Sequence, residues 1–213
     1  MNTTWRYTSW RLASQKVSAS VLRRTANGDG LKYIEIGANW GAIEKKGIFG
    51  AKKHVAVDLD ASVGLFDTHG NLVDTVWFQQ LKSKCGAIQH SGDDRQGDTG
   101  GDDGVDNEII KINLENLPSN VDKLALVLNS FNQQKFDGIP FAGIRIHDGA
   151  ATNAGGVFAT FDVANDASFS GSVSMILGCV YRHEGGWKFR SIGAPSTETN
   201  LKGSLKAFAE NYA

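Results

Sequence analysis

The stretch Val55-Ala56-Val57-Asp58-Leu59-Asp60-Ala61-Ser62-Val63-Gly64-Leu65-Phe66 repeats with a period of two. Val55, Val57, Leu59, Ala61, Val63 and Leu65 share one parity, while Ala56, Asp58, Asp60 and Ser62 share the other. Successive side chains of a strand point to opposite faces. The pattern therefore predicts one strand that buries its aliphatic set and presents both carboxylates together on the far side. Thr68-His69-Gly70-Asn71 then reads as a turn, and Leu72 to Phe78 as the returning arm of a hairpin.

Outward from this hairpin the signal stays β. Strands are expected at Ile109 to Leu114, Leu124 to Leu128, Phe141 to Ile146, Val157 to Phe161, Val173 to Tyr181 and Trp187 to Ile192. Leu124-Ala125-Leu126-Val127-Leu128 is apolar on both parities, the mark of a central strand. Before the hairpin, Trp5 to Leu12, Lys16 to Leu22 and Lys32 to Ile36 also read as strands, and Glu44 to Lys53 as a basic, glycine-punctuated loop with Ile48 and Phe49 at an apolar tip. Short strands separated by Gly, Asn and Asp turns predict an all-β chain, a two-sheet antiparallel β-sandwich. Near the end the period lengthens. Leu201, Leu205, Phe208 and Tyr212 form one helical stripe, Pro195-Ser196 is a helix-opening signal, and a C-terminal helix over 196–211 on the sandwich edge is expected. No internal repeat or long linker divides the chain, so residues 1–213 are read as one domain.

With 41% hydrophobic residues the 213-residue chain is globular in composition, and no apolar run approaches the roughly 18 residues of a membrane helix. No secretory signal follows Met1, and a cytoplasmic protein is expected. Cys85 and Cys179 lack metal-finger spacing and are expected as two buried, unactivated thiols.

The net charge of −1 conceals a strong asymmetry. Between Asp93 and Glu108 seven acids (Asp93, Asp94, Asp98, Asp102, Asp103, Asp106 and Glu108) face the single base Arg95, a local charge of −6 against +5 for the rest of the chain. Glycines interrupt this loop at 92, 97, 100, 101 and 104, so it has little stiffness with which to resist its own repulsion. A hard divalent cation removes that repulsion. Calcium takes six to eight oxygens in flexible geometry, whereas zinc prefers the His and Cys ligands that the loop lacks. Asp58 and Asp60, two positions apart on one strand face and so roughly 6–7 Å apart at Cβ, would form the rigid floor beneath the loop. His90, the nearest imidazole, is read as structural.

At these residues the chain resembles the TerD family of tellurium-resistance and stress-response proteins, which are calcium-binding β-sandwiches. The matching segments are Asp58-Leu59-Asp60-Ala61-Ser62, the loop opening His90-Ser91-Gly92-Asp93-Asp94, and Tyr181-Arg182-His183-Glu184-Gly185-Gly186-Trp187-Lys188-Phe189-Arg190. Asp74-Thr75-Val76-Trp77-Phe78 and Lys84-Cys85-Gly86-Ala87 are most like its TerZ branch. The resemblance runs from about Leu31 to Tyr212; residues 1–30 match poorly. It implies that Asp58, Asp60, Asp93, Asp94, Asp98, Asp102, Asp103, Asp106 and Glu108 supply the metal ligands, for two calcium ions. Gly100 stands where the family has Asp, and Asn39-Trp40-Gly41 where it has Gly-Trp-Asp. The family's closing Asp-Asp-Glu corresponds either to Asp102-Asp103 with a displaced Glu108 or to Asp106-Asn107-Glu108.

The resemblance also implies a stress-operon protein that assembles with other Ter proteins, near the membrane. The leading expectation is a non-enzymatic, calcium-ordered binding module. Rival expectations are calcium-bridged attachment to anionic lipid, suggested by the basic loop, and metal-assisted phosphoester hydrolysis, for which only His90 is a nearby base and Arg95 a nearby cation. Nucleic acid is not an expected partner, because the acidic loop repels it.

Overall fold

The computed structural model describes residues 32–46, 51–149 and 157–213. Along them run β1 (Tyr33–Trp40), β2 (Ile43–Lys46), β3 (Lys52–Val55), β4 (Leu59–Phe66), β5 (Leu72–Val76), β6 (Ile88–His90), β7 (Glu108–Asn113), β8 (Lys123–Ser130), β9 (Ala142–Asp148), β10 (Val157–Asp162), β11 (Ser174–His183), β12 (Gly186–Ser196) and α1 (Leu201–Tyr212). One sheet has the order β10-β9-β1-β7-β6 and the other β12-β11-β8-β4-β5, with every ladder antiparallel. The expected strands at Trp5 to Leu12 and Lys16 to Leu22 lie outside the described residues.

Alternation places the core between the sheets. Ile34, Ile36, Ala38 and Trp40 of β1, with Ile110 and Ile112 of β7, face Leu59, Ala61, Val63 and Leu65 of β4 and Leu124, Leu126 and Leu128 of β8. A second apolar layer lies on the other side of the β4–β8–β11 sheet, where Phe66, Ala125, Val127, Ile176 and Cys179 meet Leu205 and Phe208 of α1. Strand β8 is apolar on both parities because it serves both layers, and it sits at the centre of its sheet as its sequence predicts. Gly64 makes the helix's close approach possible, since a Cβ there would stand 2.5 Å from Leu205 Cδ2.

Three expectations about this framework need correction. The run Val55 to Phe66 is not one strand. Val55 ends β3, which pairs with β2, and the chain crosses residues 56–58 before β4 begins. The arms of the expected basic loop are therefore a small two-stranded sheet. The helix does not open at Pro195-Ser196. Both residues belong to β12, the edge strand of its sheet among the described residues, where Pro195 pairs with Met175; edge strands tolerate proline, which cannot donate to a second neighbour. Asn200 caps the helix instead, its side-chain oxygen accepting from the Gly203 N–H at 2.9 Å. The helix packs on the outer face of the sheet against β8 and β11, not on the sandwich edge. Of the two thiols, both free, Cys179 is buried and pushed up to about 12 by burial, whereas Cys85 is exposed.

Because Phe208 is fully buried beneath the outer layer, Phe208→Ala is expected to cost about 3–5 kcal/mol. Lys206→Ala, which removes only an exposed ion pair with Glu210, is expected to change stability by less than about 0.5 kcal/mol. Equilibrium denaturant unfolding of the two variants checks both values.

Candidate metal centre

Strand β5 pairs with β4 only from Val63 onward, so among the described residues the first half of β4 lacks a ladder partner on that side. Glu108, the first residue of β7 in the opposite sheet, fills the gap. Its Oε2 accepts from the Ala61 N–H at 2.9 Å and lies 3.4 Å from His90 Nε2, while Oε1 accepts from the Asp94 N–H at 3.4 Å. His90 Nδ1 accepts from the Gly92 N–H at 3.1 Å, which puts the ring proton on Nε2, 3.2 Å from the Ala61 carbonyl. Glu108 has no exposed surface. Burial raises its pKa, and the hydrogen bonds from His90, Ala61 and Asp94 oppose that rise.

Immediately N-terminal along the same strand edge, Asp58 and Asp60 bring their carboxylates together with Asp93 of the acidic loop, with ligand oxygens all within 4.8 Å of one another. The expected pairing of Asp58 with Asp60 is present, but not their exposure: they are 4% and 6% exposed. The face expected to meet solvent is roofed by the loop. Asp58 Oδ1 and Asp60 Oδ1 are buried and have no hydrogen-bond partner among the described residues. Burial, followed by repulsion from Asp93, pushes Asp58 up to about 6 against the attraction of Arg95. Burial, followed by repulsion from Glu108, Asp58 and Asp93, pushes Asp60 up to about 8. Buried carboxylate oxygens are ordinarily paired. Clustered and orphaned together, these fit a hard cation with oxygen ligands, and their donor set contains neither nitrogen nor sulfur.

A second group, Asp98, Asp102 and Asp103, also converges within 4.8 Å, nearer the surface. It hangs from Trp40. The Asp98 N–H donates to the Trp40 carbonyl at 2.9 Å, and the Trp40 indole donates to the Val57 carbonyl at 2.8 Å, so one tryptophan ties the loop to the segment that leads into Asp58. Gly97 lies against that ring at φ +70°, where a Cβ would stand 2.6 Å from Trp40 Cδ1. Asn39 Nδ2 donates to Asp102 Oδ1 at 2.8 Å.

The remaining acids occupy other places. Asp94 folds the loop: its Oδ1 accepts from the N–H groups of Gln96 (2.8 Å) and Gly97 (3.1 Å), and Asn107 Nδ2 donates to its Oδ2 (3.0 Å). Burial opposes ionisation of Asp94, but these donors outweigh it and hold its pKa below the usual value. Asp106 pairs with Arg145. Glu108 adjoins the first group with both oxygens committed to the clamp. Asn107, which sequence reasoning passed over between two acids, is the loop's tie: its Nδ2 joins Asp94 to Asp98 (3.1 Å), and its Oδ1 accepts from the Trp40 N–H (2.8 Å).

A comparison with protein families matches residues 16–212 to the TerD domain. The chain is similar to the tellurium resistance protein TerZ of Serratia marcescens, with 35% identity over 165 residues covering 76% of this chain and 80% of that protein. It is also similar to the stress response protein SCP2 of Bacillus subtilis (strain 168), with 31% identity over 190 residues, 84% of this chain and 90% of that one. Among solved structures, a homologue of the telluride resistance protein TerD from Streptomyces coelicolor A3(2) superposes with a TM-score of 0.66 at 18% identity, covering 84% of this chain and 96% of that one. That likeness establishes the fold.

The metal-free protein should carry a pH signature of the acid cluster. The folded-state pKa values of Asp58 and Asp60 lie above the ordinary 3.8, so the folded chain retains protons that the unfolded chain has released. Stability conferred at low pH is then lost as pH rises from about 4 through about 8. Thermal melts in chelator are expected to show a declining midpoint between about pH 5 and pH 8, and Asp60→Asn is expected to flatten that decline and raise the midpoint near pH 8.

Proposed function

The chain belongs to the TerD domain family, and from that premise we propose that it serves a tellurite-resistance and stress-response system as a non-enzymatic, calcium-ordered binding module. In this reading calcium occupies the Asp58, Asp60 and Asp93 group, and a second ion the Asp98, Asp102 and Asp103 group. The observation that carries it is the pair of buried, unpartnered oxygens of Asp58 and Asp60 facing a third carboxylate. A cation converts three mutually repelling charges into ligands, and it does so only once the loop has closed over the strand. Ion binding and loop order are then one event.

The names of the similar proteins, tellurium resistance and stress response, support the setting. Other proteins of the same family are the proposed partners, in the cytoplasm. Among the described residues no helix is long and apolar enough to cross a membrane. A hydrolytic role for the cluster is disfavoured by His90, whose two ring nitrogens are engaged by Gly92 and by Ala61 with Glu108. It has no lone pair to offer an attacking water.

Thermal unfolding with calcium and with chelator tests the proposal. Calcium at about 100 times its Kd adds about 2.7 kcal/mol, which for a domain of this length raises Tm by about 5–10 °C. Asp58→Ala and Asp93→Ala are each expected to abolish most of that shift. Superimposable melting curves in calcium and in chelator would overturn the reading.

A further inference from the structure

Beside the Asp58, Asp60 and Asp93 group the surface turns apolar. Phe131 follows β8 directly, is 54% exposed, and donates its N–H to the Asp58 carbonyl at 2.9 Å. Phe78 meets Phe131 edge-on with ring centroids 5.7 Å apart, and Trp77 meets Phe78 edge-on at 4.8 Å. Leu81, on the same loop as the two aromatics, is 42% exposed.

The loop is built rather than loose. Trp77 and Gln80 exchange backbone hydrogen bonds of 3.2 and 2.9 Å. The buried Asp74 accepts from Gln80 Nε2 at 2.9 Å and from the Lys84 N–H at 2.7 Å, and the Leu81 carbonyl accepts from the His90 N–H at 2.8 Å. Asp74, Trp77 and Phe78, which the calcium reading leaves without a role, thus hold apolar side chains at the surface beside the proposed ion site.

We propose that this aromatic ledge docks onto an anionic phospholipid surface when the neighbouring carboxylate group holds calcium, an inference that rests on the calcium reading above. Three observations select a lipid surface as the occupant. The ledge exposes two apolar side chains, Phe131 and Leu81, with Trp77 and Phe78 half-buried beside Phe131; a stable protein interface needs roughly 800 Å² per partner, whereas a bilayer needs only single apolar side chains to enter it. Exposed bases lie near its residues in sequence or on the ion-site loop, Lys82 next to Leu81, Lys135 four residues after Phe131 and Arg95 two after Asp93, and a base near an anionic leaflet contributes about 1 kcal/mol. The ion site is also open outward. Asp58 and Asp60 are buried but Asp93 is exposed, and three carboxylates leave part of calcium's shell of six to eight oxygens for an external phosphate. The hydrogen bond from the Phe131 N–H to the Asp58 carbonyl ties the ledge directly to the backbone of the ion site.

The test is co-sedimentation of the full chain with vesicles of phosphatidylcholine containing about one quarter phosphatidylserine, with calcium and with chelator, alongside calcium calorimetry of the same protein. The inference predicts sedimentation only with calcium and only when phosphatidylserine is present. Phe131→Ser is predicted to weaken association about tenfold with unchanged calcium heats, and Leu81→Ser, on the neighbouring loop, to weaken it in the same direction. A chain that binds calcium yet stays in the supernatant overturns this inference and leaves the calcium reading standing. So does vesicle binding that is equal in chelator or untouched by Phe131→Ser, and so does calcium-induced self-association on velocity sedimentation in place of vesicle binding. A chain that shows no calcium heat overturns both.

Discussion

The architecture depends on one carboxylate with no exposed surface. Glu108 begins a strand of one sheet and satisfies the backbone of a strand in the other, accepting from Ala61 while the His90 ring bridges back to the Ala61 carbonyl. A buried acid of this kind is costly unless its oxygens are paired, and here both are. Its position decides how far the β5 ladder runs along β4. It leaves the start of β4 free for a loop, and it accepts the Asp94 N–H that brings that loop over the gap. Removing a hydrogen-bond donor from such a buried acid leaves an oxygen unpaired and costs about 1–3 kcal/mol. Glu108 therefore holds the scaffold on which the Asp58, Asp60 and Asp93 carboxylates meet.

On the other side of that clamp the same chemistry is left incomplete. Glu108 has its donors, whereas Asp58 and Asp60 have oxygens without partners. The contrast within a few residues is between a carboxylate whose donors hold the fold and carboxylates on which the calcium proposal rests. Trp40 and Asn107 extend the scaffold by tying the glycine-rich loop to the crossing segment before β4. The ledge of Trp77, Phe78 and Phe131 shares backbone with that segment through Asp58 and Phe131.

Periodicity alone made much of the sandwich legible. The alternation in β4, the double apolar parity of β8 and the Leu201, Leu205, Phe208 and Tyr212 stripe all describe packing that local pattern encodes. Features set by contacts between distant segments were not legible. Pro195-Ser196 carries a helix-opening signal, yet pairing with β11 claimed both residues and Asn200 took the cap. Alternation put Asp58 and Asp60 on the face opposite the core but could not show that the acidic loop would cover them. Charge counting found the loop, whereas the division of its acids among two carboxylate clusters, the Asp94 turn and the Asp106–Arg145 pair depends on Asn39, Trp40, Asn107 and Arg145. None of these stands out by charge or spacing.

Calcium titration of the metal-free protein by calorimetry tests the central claim most directly. The account predicts two bound ions in the wild-type chain. Asp60→Asn should lose one of them, and the double variant Asp102→Asn with Asp103→Asn the other. A wild-type titration with no heat beyond dilution, or one unchanged by Asp60→Asn, contradicts the assignment of the buried carboxylates as calcium ligands.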